Sequence, residues 1–163
     1  MEKLTESDVR GDVDEYLLSK LSTAGVNGQF RTPRHIIRMM VTLMDPAAED
    51  VICDPSCGTA GFLVEASEYL RANKKEEIFF HRAKKEHFMN HMFHGFDMDR
   101  TMLRIGAMNM MTHGVERPSI EYRDSLSDQN PDKDICSLIL ANPPFKGSLD
   151  ADIVSADLLK VCK

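Results

Sequence analysis

The feature that most constrains the fold is a short apolar segment, Val51–Asp54, that leads into a loop of small residues. The loop reads Ser56-Cys57-Gly58-Thr59-Ala60-Gly61, and the apolar residues after it recur at helical spacing to about Asn73. A buried strand, a glycine loop and a helix in this order open a βαβ unit. The sequence therefore favours an α/β fold in which the chain returns to the same sheet.

The same alternation continues along the chain. Strands are predicted at Met92–Phe96, Ile120–Tyr122 and Cys136–Ala141, of which the last has the strongest strand pattern. A helix is predicted from Pro33 to Met44 with Thr32 as its N-cap, and another helix is predicted to follow the cap residue Asp99 and to end at Gly114. Four strands that alternate with helices predict a parallel, doubly wound sheet. The charged stretch Lys74–His91 is interpreted as an exposed helix or excursion, and its histidines as solvated side chains rather than metal ligands. The methionines of Met39–Met44 and Met102–Met111 are expected on helical core faces.

Composition limits the class of protein. The chain has 163 residues and a formal net charge of −6, which fits one globular domain and argues against broad, unaided binding to nucleic acid. Its apolar stretches are far shorter than the roughly 20 residues that a membrane helix needs. Four cysteines do not make a disulfide framework, so a reducing cytoplasm is the expected location.

Polar residues follow each predicted strand, where ligands bind in open α/β sheets. They are Asp54 with the glycine loop, Asp97, Asp124 and the segment Asn142-Pro143-Pro144-Phe145. Most have an ordinary structural explanation, because glycine permits tight packing, Asp97 could cap the next helix, and Asp124 before a serine is typical of a turn.

The segment Asn142-Pro143-Pro144-Phe145 is harder to explain by structure alone. Proline fixes the local path and removes a backbone donor, which leaves the asparagine amide and a carbonyl pointing out of the sheet edge. Oxygen acceptors beneath an aromatic face are what a flipped base requires.

The stretch Asp54-Pro-Ser-Cys-Gly-Thr-Ala-Gly-Phe62, together with Asn142-Pro-Pro-Phe145, resembles the S-adenosylmethionine-dependent adenine-N6 DNA methyltransferases. The upstream stretch Gly28-Gln-Phe-Arg-Thr-Pro-Arg-His-Ile36 resembles the motif that precedes the glycine loop in modification subunits of type I restriction systems. The resemblance runs from about Gly11 to Asp157. It implies a Rossmann-like methyltransferase fold in residues 28–163, incomplete at its C-terminal side. Residues 1–27 are predicted to be a helical lead-in, because Val13, Tyr16, Leu17 and Leu21 are spaced for one apolar face.

The resemblance also implies a site for S-adenosylmethionine. Gln29, Phe30, Thr32 and Pro33 would surround the methionine end, with Thr32 in contact with its carboxylate, and Asp54, Gly58, Thr59, Ala60 and Gly61 would bring backbone close to the same group. Asp97 would accept hydrogen bonds from the ribose and Asp124 from the adenine amino group. No metal is implied.

By the same resemblance, the Asn142 side-chain oxygen and the Pro143 carbonyl would accept hydrogen bonds from the target adenine amino group. Pro144 continues the fixed path, and Phe145 would stack on the flipped base. Orientation and electrostatic support, rather than a strong base, would then drive methyl transfer.

The implied partners are DNA reached through a specificity subunit, a second modification subunit and a restriction subunit, with no membrane. Two alternatives stay open. One is a truncated, noncatalytic cofactor-binding or interaction fragment of such a subunit. The other, disfavoured by the Gln29–Ile36 motif, is a methyltransferase that acts on protein glutamine or on RNA, because Asn-Pro-Pro-Phe occurs in those enzymes too.

Overall fold

The described residues contain one parallel sheet. The computed structural model describes residues 32–127, 134–143 and 154, which belong to a compact unit from Thr32 to Lys163. Its strands are β1 (Ile52–Asp54), β2 (Phe93–Asp97), β3 (Ser119–Tyr122) and β4 (Leu138–Ile139), in the order β3-β2-β1-β4. The predicted α/β class with a parallel sheet is therefore confirmed. The expected helical lead-in of residues 1–27 lies outside the described residues.

The strand register brings the carboxyl ends of the strands to one edge of the sheet. Ile52 of β1 lies opposite Phe93 of β2 and Leu138 of β4, and the pairings among these four strands are parallel. Because β1 has β2 on one side and β4 on the other, the chain changes direction across the sheet beside β1. This is the position at which open α/β sheets form a ligand crevice.

Five helices connect or flank these strands in the described residues: α1 (Arg34–Met44), α2 (Gly61–Asn73), α3 (Lys75–Phe79), α4 (Arg82–Asn90) and α5 (Arg100–Thr112). Apolar residues at helical spacing form their buried faces, such as Ile37 and Val41 in α1 and Leu63 and Leu70 in α2. Asp99 caps α5 as predicted, because its side chain accepts from the backbone amides of Thr101 and Met102. None of the helices in these described stretches has the length and apolar character needed to cross a membrane.

The stretch Lys74–His91 is not simply exposed. It forms α3 and α4, which bury Ile78 and Phe88 completely. The Phe88 ring packs edge-on against Phe79 and Phe93, with centroid distances of 5.4 and 5.3 Å. The expectation was wrong because a few apolar residues in a charged stretch are enough to bury one face of a short helix.

Two further expectations need correction. The strand expected at Cys136–Ala141 is only Leu138–Ile139, although the Leu140 amide still donates to the Cys53 carbonyl at 2.9 Å. Its partner β1 has only three residues, which limits the ladder that β4 can form. Several methionines expected in the core are more than half exposed instead: Met39, Met44, Met108 and Met111.

Candidate functional site

Loops from three strands meet at the carboxyl edge of the sheet. The Cys57 amide, after β1, donates to the Phe96 carbonyl of β2 at 2.9 Å, and the Arg123 amide, after β3, donates to the Asp97 carbonyl at 3.1 Å. The Ser125 hydroxyl donates to the Pro55 carbonyl at 2.7 Å. These contacts gather the residues that follow β1, β2 and β3 into one site.

The glycine loop has an unusual backbone. Gly58 and Ala60 both have positive φ angles, of 51° and 61°, and the Ala60 amide donates to the Cys57 carbonyl at 2.7 Å to close the turn. Alanine seldom adopts this left-handed conformation, so the surrounding contacts must impose it. A Cβ atom on Gly58 would meet no atom within 4 Å, so the loop borders open space there. Gly61 begins α2 and packs against Ile37.

Asp97, at the end of β2, uses both carboxylate oxygens to hold backbone. Its Oδ2 accepts from the Gly58 amide at 2.9 Å, and its Oδ1 accepts from the Asp99 amide at 2.9 Å. The same side chain therefore joins the glycine loop to the start of α5. Each carboxylate oxygen has a further lone pair with which to accept a ligand hydroxyl.

Asp54, at the end of β1, is almost completely buried, with 2% of its surface exposed. The pKa of this carboxyl is raised to about 7, because burial and, to a smaller extent, the nearby Asp97 charge raise it by more than the hydrogen bond from the Ser56 amide lowers it. Burial also raises the pKa of the Cys57 thiol, with the two carboxylates as additional causes. The structure thus places two acidic side chains beside the glycine loop, of which Asp54 is buried and Asp97 is partly exposed.

Thr32 and Asn142 are brought together from opposite ends of the described chain. The Asn142 Nδ2 atom donates to the Thr32 hydroxyl oxygen at 2.8 Å, and this fixes the amide so that its Oδ1 atom stays available as an acceptor. The prediction that Thr32 caps α1 was wrong, because Pro33 is the N-cap residue and no side chain caps this helix. The Thr32 hydroxyl is engaged with Asn142 instead.

Asp124 lies in a turn after β3. Its Oδ1 atom accepts from the Leu126 amide at 3.0 Å, which is the Asx turn that the sequence suggested as the ordinary explanation. Asp124 is adjacent to Ser125, whose hydroxyl donates to the Pro55 carbonyl. Asp124 therefore lies at the same edge of the sheet as Asp54.

The remaining predicted site residues divide into two groups. Pro33 and Pro143 are exposed, the first at the start of α1 and the second directly after Asn142. Gln29, Phe30, Pro144 and Phe145 lie outside the described residues.

Sequence reasoning missed three residues at this edge. Asn109 of α5 donates from Nδ2 to the Thr59 carbonyl at 2.9 Å, and a Cβ on Gly106 would lie 3.1 Å from the Gly58 carbonyl oxygen. The Ser56 hydroxyl oxygen is buried and has no hydrogen-bond partner among the described residues. A glycine and an asparagine inside a helix, spaced to share one face, are the signal that could have revealed the first two.

The parallel sheet with its helices, and the loops gathered at the carboxyl edge of that sheet, are those of a Rossmann-like methyltransferase fold. The structure superposes on a solved structure from Vibrio vulnificus YJ016, assigned as the modification subunit of a type I restriction enzyme, with a TM-score of 0.71 and 33% sequence identity over 90% of this chain. The family model described as N-6 DNA methylase matches residues 5–160. The chain therefore belongs to the N-6 DNA methylase family.

Individual relatives are similar over most of this chain. The methylase subunit of the type I restriction enzyme EcoEI, from Escherichia coli, is 31% identical over 147 residues, which cover 88% of this chain and 29% of the relative. The MjaIX methylase subunit, from Methanocaldococcus jannaschii, is 31% identical over 153 residues, which cover 92% of this chain and 25% of the relative. The chain thus spans less than a third of the length of these relatives.

Proposed function

We propose that this chain carries the cofactor site and the catalytic Asn-Pro segment of a type I modification subunit, which methylates adenine N6 in DNA with S-adenosylmethionine. Membership of the N-6 DNA methylase family supports the proposal. The observation that carries it is the hydrogen bond between Asn142 and Thr32. It joins the segment after β4 to the segment before α1, beside the strand at which the sheet changes direction.

The residues at the sheet edge fit the proposed cofactor. Open space beside Gly58 admits a ligand close to backbone, and the Ser56 hydroxyl, which has no partner in the part of the chain that the structure describes, is free to form a hydrogen bond. The set that would hold the cofactor is Thr32, Pro33, Asp54, Gly58, Thr59, Ala60, Gly61, Asp97 and Asp124, with Gln29 and Phe30 as members outside the described residues. When bound, S-adenosylmethionine supplies an electrophilic methyl group on a sulfonium.

Each end of the cofactor site has a distinct task. Thr32 and the glycine loop would hold the methionine end, whereas Asp97 would accept from ribose hydroxyls and Asp124 from an adenine amino group. The partly buried Asp97 side chain adds negative potential, and Asp54 adds to it in its ionised form, which favours a cationic ligand.

The Asn142 amide would hold the target base. The adenine amino nitrogen is a weak nucleophile because its lone pair is delocalised into the ring. Hydrogen bonds from its two N–H groups to the Asn142 Oδ1 atom and the Pro143 carbonyl would favour a pyramidal nitrogen and direct its lone pair toward the methyl group. Because Thr32 already binds the Asn142 Nδ2 atom, little reorganisation is needed before the reaction. Pro144 would keep the segment in place and Phe145 would stack on the base.

The proposed partners follow from charge and from the relatives. A net charge of −6 gives this chain little basic surface for DNA phosphates. We propose that a specificity subunit delivers the DNA, and that a second modification subunit and a restriction subunit complete the assembly, in the cytoplasm.

Replacing Asn142 by alanine tests the proposed division of labour. With a specificity subunit present, transfer of labelled methyl from S-adenosylmethionine to DNA should fall by about 10²-fold or more, because the base loses a positioned acceptor. Cofactor affinity, measured by calorimetric titration, should change by less than about threefold, since the Asn142 Oδ1 atom is assigned to the base and not to the cofactor.

Two controls separate the alternatives. If the unmodified chain binds the cofactor but transfers no methyl with or without a specificity subunit, the noncatalytic alternative is favoured. Label that appears in protein glutamine or RNA instead of DNA would contradict the proposed substrate. Equal loss of binding and transfer in Asn142→Ala would contradict the assignment of Asn142 to the base.

A further inference from the structure

Two residues of α5 contact the glycine loop from behind. The Asn109 Nδ2 atom donates to the Thr59 carbonyl at 2.9 Å, although the two residues are 50 positions apart. Gly106, one turn earlier on the same face, is buried, and a Cβ there would lie 3.1 Å from the Gly58 carbonyl oxygen and 3.4 Å from the Ala60 Cβ. Glycine therefore permits α5 to approach closely, and Asn109 uses that approach to bind the loop.

The contact made by Asn109 completes a chain of hydrogen bonds through the loop. Asp97 accepts from the Gly58 amide, whose peptide group includes the Cys57 carbonyl. That carbonyl accepts from the Ala60 amide, whose peptide group includes the Thr59 carbonyl. The Thr59 carbonyl accepts from Asn109. The Cys57–Gly58 and Thr59–Ala60 peptide groups are thus each held at both ends, between Asp97 on one side and Asn109 on the other.

The loop needs such support because two of its residues have positive φ angles. Ala60 is in the left-handed region at 61°, which is unfavourable for a residue with a Cβ. The Thr59–Ala60 peptide group directly precedes this residue, and hydrogen bonds to both its N–H and its C=O restrict its rotation. Without Asn109, the bond from its N–H to Cys57 would be the one hydrogen bond that this peptide group keeps among the described residues.

Helix propensity points in the same direction. Asparagine and glycine are poorer helix formers than alanine or leucine, yet α5 has both on the face toward the loop. The Asn109 side chain also leaves the helix surface to bind a carbonyl outside its own helix. Other residues at these two positions would make α5 itself more stable. We therefore attribute Gly106 and Asn109 to the contact with the loop.

We infer that Asn109 is a positioning residue, which holds the glycine loop and Asp97 in the arrangement that the cofactor requires. The inference rests on the proposed function, since the loop and Asp97 are assigned there to the cofactor. Asn109 touches neither cofactor nor base in this scheme and acts through the Thr59 carbonyl. By fixing the peptide groups in advance, it reduces the ordering that ligand binding must otherwise impose.

Variants at Asn109 test this inference against a matched control at Asn73. The Asn73 Nδ2 atom also donates to a carbonyl, that of Tyr69, at 2.9 Å, but at the exposed end of α2. We expect Asn109→Ala to raise the Kd for S-adenosylmethionine about tenfold, because this is the change in affinity that corresponds to the free energy of a typical buried hydrogen bond. Asn73→Ala should change it less than about twofold. Hydrogen exchange of the peptide that contains Cys57–Gly61, measured without cofactor, should accelerate about tenfold in Asn109→Ala only.

The variant Asn109→Asp adds a pH profile that a purely structural role would not produce. An ionised carboxylate cannot donate to the Thr59 carbonyl, whereas a protonated carboxyl group can. The Kd of Asn109→Asp relative to the unmodified protein should therefore improve from pH 8 to pH 5. The relative Kd of Asn109→Ala should stay constant over the same range, and taking the ratio at each pH removes the titration of Asp54.

The outcomes distinguish the inference from the proposed function. If the unmodified chain does not bind S-adenosylmethionine, the proposed function is contradicted, and loop exchange alone then decides whether Asn109 holds the loop. If the chain binds the cofactor and Asn109→Ala leaves both exchange and Kd unchanged, or alters them no more than Asn73→Ala does, the inference is overturned. Faster exchange with an unchanged Kd overturns it as well.

Discussion

Replacing Asp54 by asparagine should make the protein more stable above neutral pH and leave the pH 4 stability nearly unchanged. The folded carboxyl has a pKa of about 7, raised from 3.8 chiefly by burial and further by the Asp97 charge, against the opposing hydrogen bond from the Ser56 amide. In the unfolded chain it titrates near its ordinary value. Between pH 4 and pH 7 the unfolded state therefore releases a proton that the folded state retains, and the free energy of unfolding falls as pH rises.

The size of the effect follows from the pKa difference. Each pKa unit corresponds to about 1.4 kcal/mol, so a shift of about three units corresponds to about 4 kcal/mol of stability lost between pH 4 and pH 8. Asparagine has no proton to lose, and its Oδ1 atom can still accept from the Ser56 amide. The side chain is 2% exposed, so solvent screening reduces the effect little.

Urea unfolding followed by far-ultraviolet circular dichroism measures this directly, and suits a chain without tryptophan. The difference in unfolding free energy between Asp54→Asn and the unmodified protein should grow from near zero at pH 4 to about 4 kcal/mol at pH 8. Asp54→Ala should show the same growth with pH, but be about 1 kcal/mol less stable than Asp54→Asn at every pH, because the Ser56 amide loses its acceptor. A difference that stays constant from pH 4 to pH 8 would refute the reasoning.

Two further substitutions in or before α5 have smaller expected effects. Gly106→Ala should lower the free energy of unfolding by about 1 kcal/mol and weaken cofactor binding, because the steric cost of a Cβ against the Gly58 carbonyl exceeds the gain in helix propensity. An unchanged Kd in calorimetric titration would argue against close packing at this position. Asp99→Ala should cost about 1 kcal/mol through loss of the α5 cap, whereas thermal unfolding of Asp99→Asn should match that of the unmodified protein, since asparagine caps helices equally well.

Much of the fold could be predicted from local patterns. The strand at Val51–Asp54, the loop after it and the helix to Asn73 were predicted within a residue or two of β1 and α2. The cap at Asp99 was predicted as well, because a cap depends on backbone amides two and three residues away. Such features can be predicted from the sequence because the interacting groups are close together in the chain.

Features that depend on distant neighbours were harder to predict. Thr32 before a proline has the pattern of a helix cap, but its hydroxyl binds Asn142 instead. The strand at Cys136–Ala141 was too long in the prediction, since its length depends on the short strand β1 beside it. Exposure of Met39 and Met108 likewise could not be derived from helical spacing, because spacing defines a face and not what covers it.

By itself, the sequence determined the fold class and the set of polar residues at the strand ends, because these follow from periodicity and small-residue loops, and the resemblance of its short motifs indicated the family. Only the tertiary structure decided how those residues are used. It brought Thr32 to Asn142, joined Asp97 to the glycine loop and placed Asn109 behind Thr59. These contacts link residues tens of positions apart, and the approach of such residues depends on how strands and helices pack rather than on any local sequence pattern.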